Sequence, residues 1–364
     1  MTCDEILSFA FKVGASDVHL VTKSAPALRL HGSLLPLDAP EWQGQLDSGS
    51  ALAGSLSPED TDRMAREIMT PEQYQKFQQV GELDFSYSIP GTCRFRVNTF
   101  KQRGSVSMAI RLINPTILSF HQLGLPEVLA SLSRKPRGLV LVTGPTGSGK
   151  STTLAAMIDL INRESRSHIL TLEDPIEFVH EHRKCIVSQR EVGQDTGSFA
   201  KALRAALRED PDVILVGEMR DPETIGIAIT AAETGHLVFG TLHTSSAAQT
   251  IDRIIDVFPP HQQQQIRVQL SSTIQGVVAQ TLIPRMDRAG RVVAAEIMLA
   301  NHAIRNLIRE GRTYQIINQL QTGARQGMQS LDTALRVLCQ KKIISREEAL
   351  TRAADPEGLS KALN

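Results

Sequence analysis

At 364 residues the chain is long enough for about two domains, each with a core of its own. Lys plus Arg and Asp plus Glu both number 39, so no overall positive field draws the protein to nucleic acid or anionic lipid; such a partner would need a local patch. The four cysteines, Cys3, Cys93, Cys185 and Cys339, never fall at CxxC spacing, which suggests neither a zinc clamp nor a disulfide framework and fits a reducing cytoplasm.

The N-terminal MTCDEILSF carries two acids and lacks the basic region and long apolar stretch of an export signal. Apolar runs such as GLVLV from Gly138 and VILV from Val213 fall far short of the roughly 20 residues that a membrane span needs. Any membrane contact is therefore expected to be indirect, through a partner.

Residues 1–112 mix short helical and alternating segments, interrupted by a polar Gly- and Ser-rich stretch at 43–57 that reads as a loop. RFRVNTF and SVSMAIRL alternate as two half-buried strands, with Arg103 and Gly104 in the connection. Asn114-Pro115 favours a turn, and the pattern changes period after it, which places an interdomain linker at 113–122. From 123 to 364 the expected fold is α/β. The runs LVLVT, HILTL, VILVG and LVFGTL predict a parallel sheet, and helical periods follow them at Leu154, Met157, Ile158 and Ile161 and at Phe199, Leu203, Ala206 and Leu207. Beyond about residue 261 only helical periods are read, including Ile266, Leu270, Ile274, Val277 and Val278.

GPTGSGKS, from Gly144 to Ser151, satisfies GxxxxGK[ST] directly after LVLVT and directly before a helical period, the context that gives the motif its meaning. The eight-residue pattern alone would arise by accident in roughly one chain in a hundred of this length. Glycines let the backbone wrap a β-phosphate with its N–H groups inward, and the helix N-terminus adds favourable charge. Gly144, Pro145, Thr146, Gly147, Ser148, Gly149, Lys150, Ser151 and Thr152 are thus the candidate nucleotide-binding residues, with Lys150 for the β and γ oxygens and the Ser151 hydroxyl for Mg²⁺. The competing reading is a glycine-rich turn with a solvated lysine.

Such a loop needs a carboxylate for the magnesium shell and a group to orient the attacking water. Glu173 ends the run HILTLE and Glu218 follows DVILVG, and carboxyl ends of parallel strands face the ligand. Spacing alone does not divide the two roles. The aspartate that commonly ends the second of these strands is absent; Gly217 holds that place. His236 and His243 bracket LVFGTL and, seven apart, point to opposite faces of a regular strand, which argues against a shared metal. His180 and His182 read as a solvated pair.

Together GPTGSGKST, ILTLEDPIEF, LREDPDVILVGEMRD and TAAETGHLVFGTLHTSSAAQTIDRIIDVFP resemble the Walker A, Asp-box, Walker B and His-box segments of secretion-type ATPases. ASDVHL at Ala15 to Leu20 and AIRNLIRE at Ala303 to Glu310 narrow the resemblance to the type IV pilus retraction ATPases, the PilT family, over nearly the whole chain. That resemblance implies a PAS-like α+β domain, a RecA-like P-loop domain with a C-terminal helical region, and a homohexamer that hydrolyses ATP with Mg²⁺. It implies Glu173 as general base, Glu218 as holder of magnesium through water, and His236 and His243 as reporters of the γ-phosphate. Arg96 and Arg111 would supply charge in arginine-finger fashion, although a solvated sheet face also explains two arginines on alternating strands. The expected partners are an inner-membrane pilus platform protein at the cytoplasmic face and a paralogous retraction ATPase. AIRNLIRE would serve retraction as distinct from hydrolysis; as a pattern it is an amphipathic helix with Ile304, Leu307 and Ile308 inward and Arg305, Asn306, Arg309 and Glu310 outward.

Four other readings compete. An accessory retraction ATPase of the same superfamily is one, and by resemblance AIRNLIRE speaks against it as it does against an assembly ATPase. A pilus assembly ATPase shares the nucleotide motifs, but the tetracysteine element of assembly and secretion relatives is missing. A nucleic-acid translocase would need more than the short basic runs at 134–137 and 285–291. A non-hydrolytic ring scaffold fits poorly with a full set of acids and histidines.

Overall fold

The computed structural model describes residues 2–42, 54–113 and 116–363. Most of the polar stretch 43–57 and the Asn114-Pro115 turn lie outside the described residues. The chain divides into two compact units, Met1–Thr116 and Ile117–Asn364.

The first unit is α+β. Its strands are β1 (Asp17–Leu20), β2 (Ala27–Leu30), β3 (Ser33–Pro36), β4 (Glu82–Ser88), β5 (Arg94–Gln102) and β6 (Ser105–Ile113). They form one sheet in the order β3-β2-β1-β6-β5-β4 with every neighbouring pair antiparallel. Alternation in the sequence becomes alternation in space: Phe95, Val97 and Thr99 of β5 point into the core, while Arg94, Arg96 and Asn98 face the other way. Helices Cys3–Lys12, Pro58–Ile68 and Pro71–Val80 bury Ile6, Leu7, Met64 and Phe77 in that core. Each begins on a Ser or Thr whose hydroxyl accepts from the backbone three residues on, answered by a Glu, Asp or Gln side chain.

The second unit holds β7 (Gly138–Thr143), β8 (His168–Glu173), β9 (Ile186–Glu191), β10 (Val213–Val216), β11 (Leu237–Leu242), β12 (Ile274–Pro284) and β13 (Arg291–Leu299). Their order is β13-β12-β7-β11-β10-β8-β9, parallel throughout except for β13, which runs antiparallel to β12. Every residue of β7, β10 and β11 is buried, as a sheet covered on both faces requires. The helix Lys150–Glu164 packs Leu154, Met157, Ile158 and Ile161 on one face. Helices Pro222–Glu233, Ala247–Asp256 and Pro260–Thr273 cover the other.

One expectation fails. Ile266 and Leu270 are helical, but Ile274, Val277 and Val278 belong to β12, so the C-terminal third contains two long strands. The apolar spacing runs on unbroken from helix into strand, and a strand buried on both sides carries no alternation to distinguish it. β12 gains its place by pairing with β7 on one edge and through nine residue pairs with β13 on the other.

Candidate active site

β7 ends at Thr143, and residues 144–149 turn back over the sheet edge into the helix Lys150–Glu164. Gly149 caps that helix at φ 89°, a left-handed conformation that a side chain would strain. Gly144 sits at φ 140°, and a Cβ there would overlap the Gln280 carbonyl oxygen. Lys150 Nζ donates to the carbonyls of Gly144 (2.8 Å) and Pro145 (3.1 Å), folding its charge over the loop. Burial lowers its pKa, partly offset by the charge of Glu218. Pro145, Thr146, Gly147 and Ser151 are exposed, Thr152 is half-buried and Ser148 is buried. A loop of this shape can cradle a polyphosphate, and the Ser151 hydroxyl and the Glu218 carboxylate are hard oxygen donors of the kind a magnesium ion takes.

Glu173 and Glu218 stand at the carboxyl ends of neighbouring strands β8 and β10 in opposite environments. Burial pushes the Glu173 carboxyl upward, against hydrogen bonds from Thr171 Oγ1 (2.7 Å), the Glu177 backbone N–H (3.4 Å) and Gln189 Nε2 (3.2 Å). Glu218 also meets a desolvation penalty, but Arg220 at 2.5 Å and His243 at 2.8 Å outweigh it and hold the carboxyl below its usual range. Gly217 explains the missing aspartate. A Cβ there would stand 3.0 Å from the Leu172 carbonyl oxygen and 3.2 Å from Glu173 Cα, a tight fit that favours glycine, and the acid follows at 218.

The structure does not bring all the candidates together. His243 joins Glu218, but His236 lies at the opposite end of β11, where its carbonyl accepts from Gly138 N–H at the start of β7. Seven residues of strand put it roughly 20 Å from His243, and its Nδ1 bonds the Ala231 carbonyl at 2.9 Å. Arg96 and Arg111 are cross-strand partners in the first unit. Arg111 bonds Asp17 of the ASDVHL segment at 2.9 Å, whereas Arg96 is exposed with no ion-pair partner among the described residues.

Elsewhere, His180 and His182 are not a solvated pair. His180 is buried, and burial lowers its pKa to about 4; exposed His182 accepts from the Val187 N–H. Arg305 does not face outward with its neighbours but turns back to donate to the carbonyls of Ser271 and Ser272, both at 2.7 Å, at the end of Pro260–Thr273. The basic runs are partly neutralised within the chain, Arg134 by Glu164 and Arg285 by Asp287. Arg220, Thr171 and Gln189 are site neighbours that the sequence reading missed. Arg220 stood two residues from Glu218 and could have been found; Gln189 approaches Glu173 only through the pairing of β9 with β8.

Residues 75–297 match the model of the type II/IV secretion system protein family. The chain is 50% identical over 357 residues to the type IV pilus retraction ATPase PilT of Pseudomonas aeruginosa, covering 98% of this chain and 99% of that one. The chain belongs to the pilus retraction ATPases of this family. It is also 49% identical to a twitching motility protein of Neisseria gonorrhoeae, over 92% of this chain and 86% of the relative. A solved structure of the retraction motor PilT with bound ADP superposes with a TM-score of 0.90 at 47% identity, covering 99% of each chain. As a member of the retraction ATPases this chain is a P-loop ATPase that uses nucleotide, with an antiparallel α+β unit preceding a RecA-like unit. Among the described residues no helix is long and apolar enough to cross a membrane.

Proposed function

We propose that the chain works as a homohexameric motor at the cytoplasmic face of the inner membrane, pulling on a pilus platform protein and, alongside a paralogous ATPase, withdrawing the fibre. The observation that carries the chemistry is the opposite environment of two carboxylates at the ends of neighbouring strands in the unit that carries the phosphate loop. Carboxylates whose environments push their pKa values apart divide the acid–base work between them.

Glu173, raised by burial, is the base that takes a proton from the attacking water. Glu218, held ionised by Arg220 and His243, would hold Mg²⁺ through water, with the Ser151 hydroxyl as the other donor. Bound Mg²⁺ would neutralise the β- and γ-phosphate oxygens. Lys150 exchanges the Gly144 and Pro145 carbonyls for phosphate oxygens, so the loop is held closed by its own lysine until nucleotide arrives. Arg96 and Arg111 supply positive charge to the transition state. His236 is left out of this scheme because of its distance. The helix His302–Arg309, which carries all of AIRNLIRE but its last residue, passes the motion on to the pilus machinery rather than acting in hydrolysis.

The deciding experiment counts surface pili and scores twitching in a strain lacking the gene. Excess pili without movement are expected. Loss of pili would make the protein an assembly motor and overturn the reading of Ala303 to Glu310.

A further inference from the structure

Gln280 lies on β12, 132 residues from the loop it touches, and only 3% of it is exposed. Its Nε2 donates to the Ser148 carbonyl at 2.7 Å. Among the described residues this is the one side-chain bond to the backbone of residues 144–149 from outside the phosphate-loop segment; the others come from Lys150. Were Lys150 to turn to phosphate it would give up its bonds, and Gln280 would remain the side chain that holds the loop backbone. Gln280 also fits both ends of the loop. Its backbone oxygen occupies the space that Gly144 leaves free, and a Cβ at Gly149 would lie 3.2 Å from its Nε2.

The amide is retained at a cost. Gln280 Oε1 is buried and finds no partner among the described residues, and leaving a buried carbonyl unpaired is destabilising. Leucine or methionine would fill the same volume without that penalty. The orientation of the amide is also fixed, since the flipped form would set Oε1 against the Ser148 carbonyl, acceptor against acceptor.

We propose that Gln280 is a positioning residue of the phosphate loop: by holding the Ser148 carbonyl outward, it keeps the neighbouring backbone N–H groups turned toward the phosphates. The inference rests on the reading of residues 144–151 as the phosphate cradle. A group that shapes the loop alike in the ground and transition states acts on binding, so its loss appears in KM more than in kcat.

The test compares the wild-type hexamer with Gln280→Leu, Gln280→Glu and Lys150→Ala, reading ATP turnover and the ADP-dependent rise in melting temperature. Gln280→Leu is expected to melt near wild type without nucleotide, and Gln280→Glu, which sets a buried carboxylate against the Ser148 carbonyl, below it; both should show a KM for ATP about tenfold higher with kcat within about threefold, and gain less from ADP. Wild-type KM and wild-type ADP stabilisation in either folded variant would overturn the proposal, as would failure of both variants to fold, which would make Gln280 a purely structural residue. If only Gln280→Glu folds, its KM decides. Lys150→Ala separates the two levels: if it turns over ATP normally the cradle reading itself fails, whereas loss of turnover there with normal Gln280 variants sinks only the role of Gln280.

Discussion

His243 Nε2 stands 2.8 Å from Glu218 Oε1, joining the loops that follow β11 and β10. Arg220 reaches the same oxygen. The carboxylate is thus aimed by two groups from different strands, and supporting partners of this kind typically cost ten- to a hundredfold when removed. His243→Ala should therefore lower kcat by about ten- to a hundredfold while ADP affinity stays within about threefold. Single-turnover phosphate release alongside ADP titration checks this; an equal loss of ADP binding would mean that His243 supports the fold of the site rather than its chemistry.

Glu173 carries a prediction in two parts. Its carboxyl is raised by burial, so a base in this position loses activity on acidification at a higher pH than an ordinary carboxylate would. The same shift subtracts stability. The folded state binds the proton more tightly than the unfolded chain, so the penalty is full above the folded pKa and fades as pH falls toward the unfolded value near about 4.3. Glu173→Gln should abolish turnover yet raise the melting temperature at pH 8, with the gain shrinking toward pH 4.5. Differential scanning fluorimetry across that range reads the trend.

Arg111 is exposed and paired with Asp17, whose carboxyl feels desolvation first but ends below its usual range through Arg111, Ser16 and Arg29. An exposed pair of this kind contributes about 0–1 kcal/mol to stability. Arg111→Ala should shift the denaturation midpoint only slightly while lowering ATP turnover by about a hundredfold, the size expected for a group that stabilises transition-state charge. Comparable small losses in both measurements would leave Arg111 with a role in the sheet only.

In the helix His302–Arg309, Ile304 and Ile308 are buried, Leu307 is half-buried, and Arg305 ties the helix to Pro260–Thr273. Arg305→Ala removes two charge-assisted bonds and should cost about 1–3 kcal/mol in urea unfolding. Leu307→Ala should leave ATP hydrolysis within about twofold and stop twitching. A Leu307→Ala strain that retracts pili normally would detach this helix from the coupling step.

The parts of the site legible in the sequence were those carried by local spacing. Lys150, Ser151 and the glycines lie within eight consecutive residues between a strand and a helix, so backbone geometry alone singles them out. Glu173 and Glu218 were legible as strand ends, yet their division of labour was not, because it depends on burial and on Arg220 and His243. His236 was misplaced for a related reason: a motif groups residues by chain position, and a fully extended strand then carries its two ends apart. Gln280 gave no signal at all. It belongs to a segment whose apolar spacing read as helix, and it meets the loop only through the pairing of β12 with β7.

That pairing has a consequence for the birth of the protein. β12 is the parallel neighbour that flanks the loop-bearing strand on one side, yet it leaves the ribosome more than a hundred residues after Lys150. A nascent chain released at about residue 260 would carry the whole GPTGSGKST segment with that flank of β7 open and without the Gln280 carbonyl that packs against Gly144. The outer support of the loop thus arrives late in translation, on a strand made long after the motif it steadies.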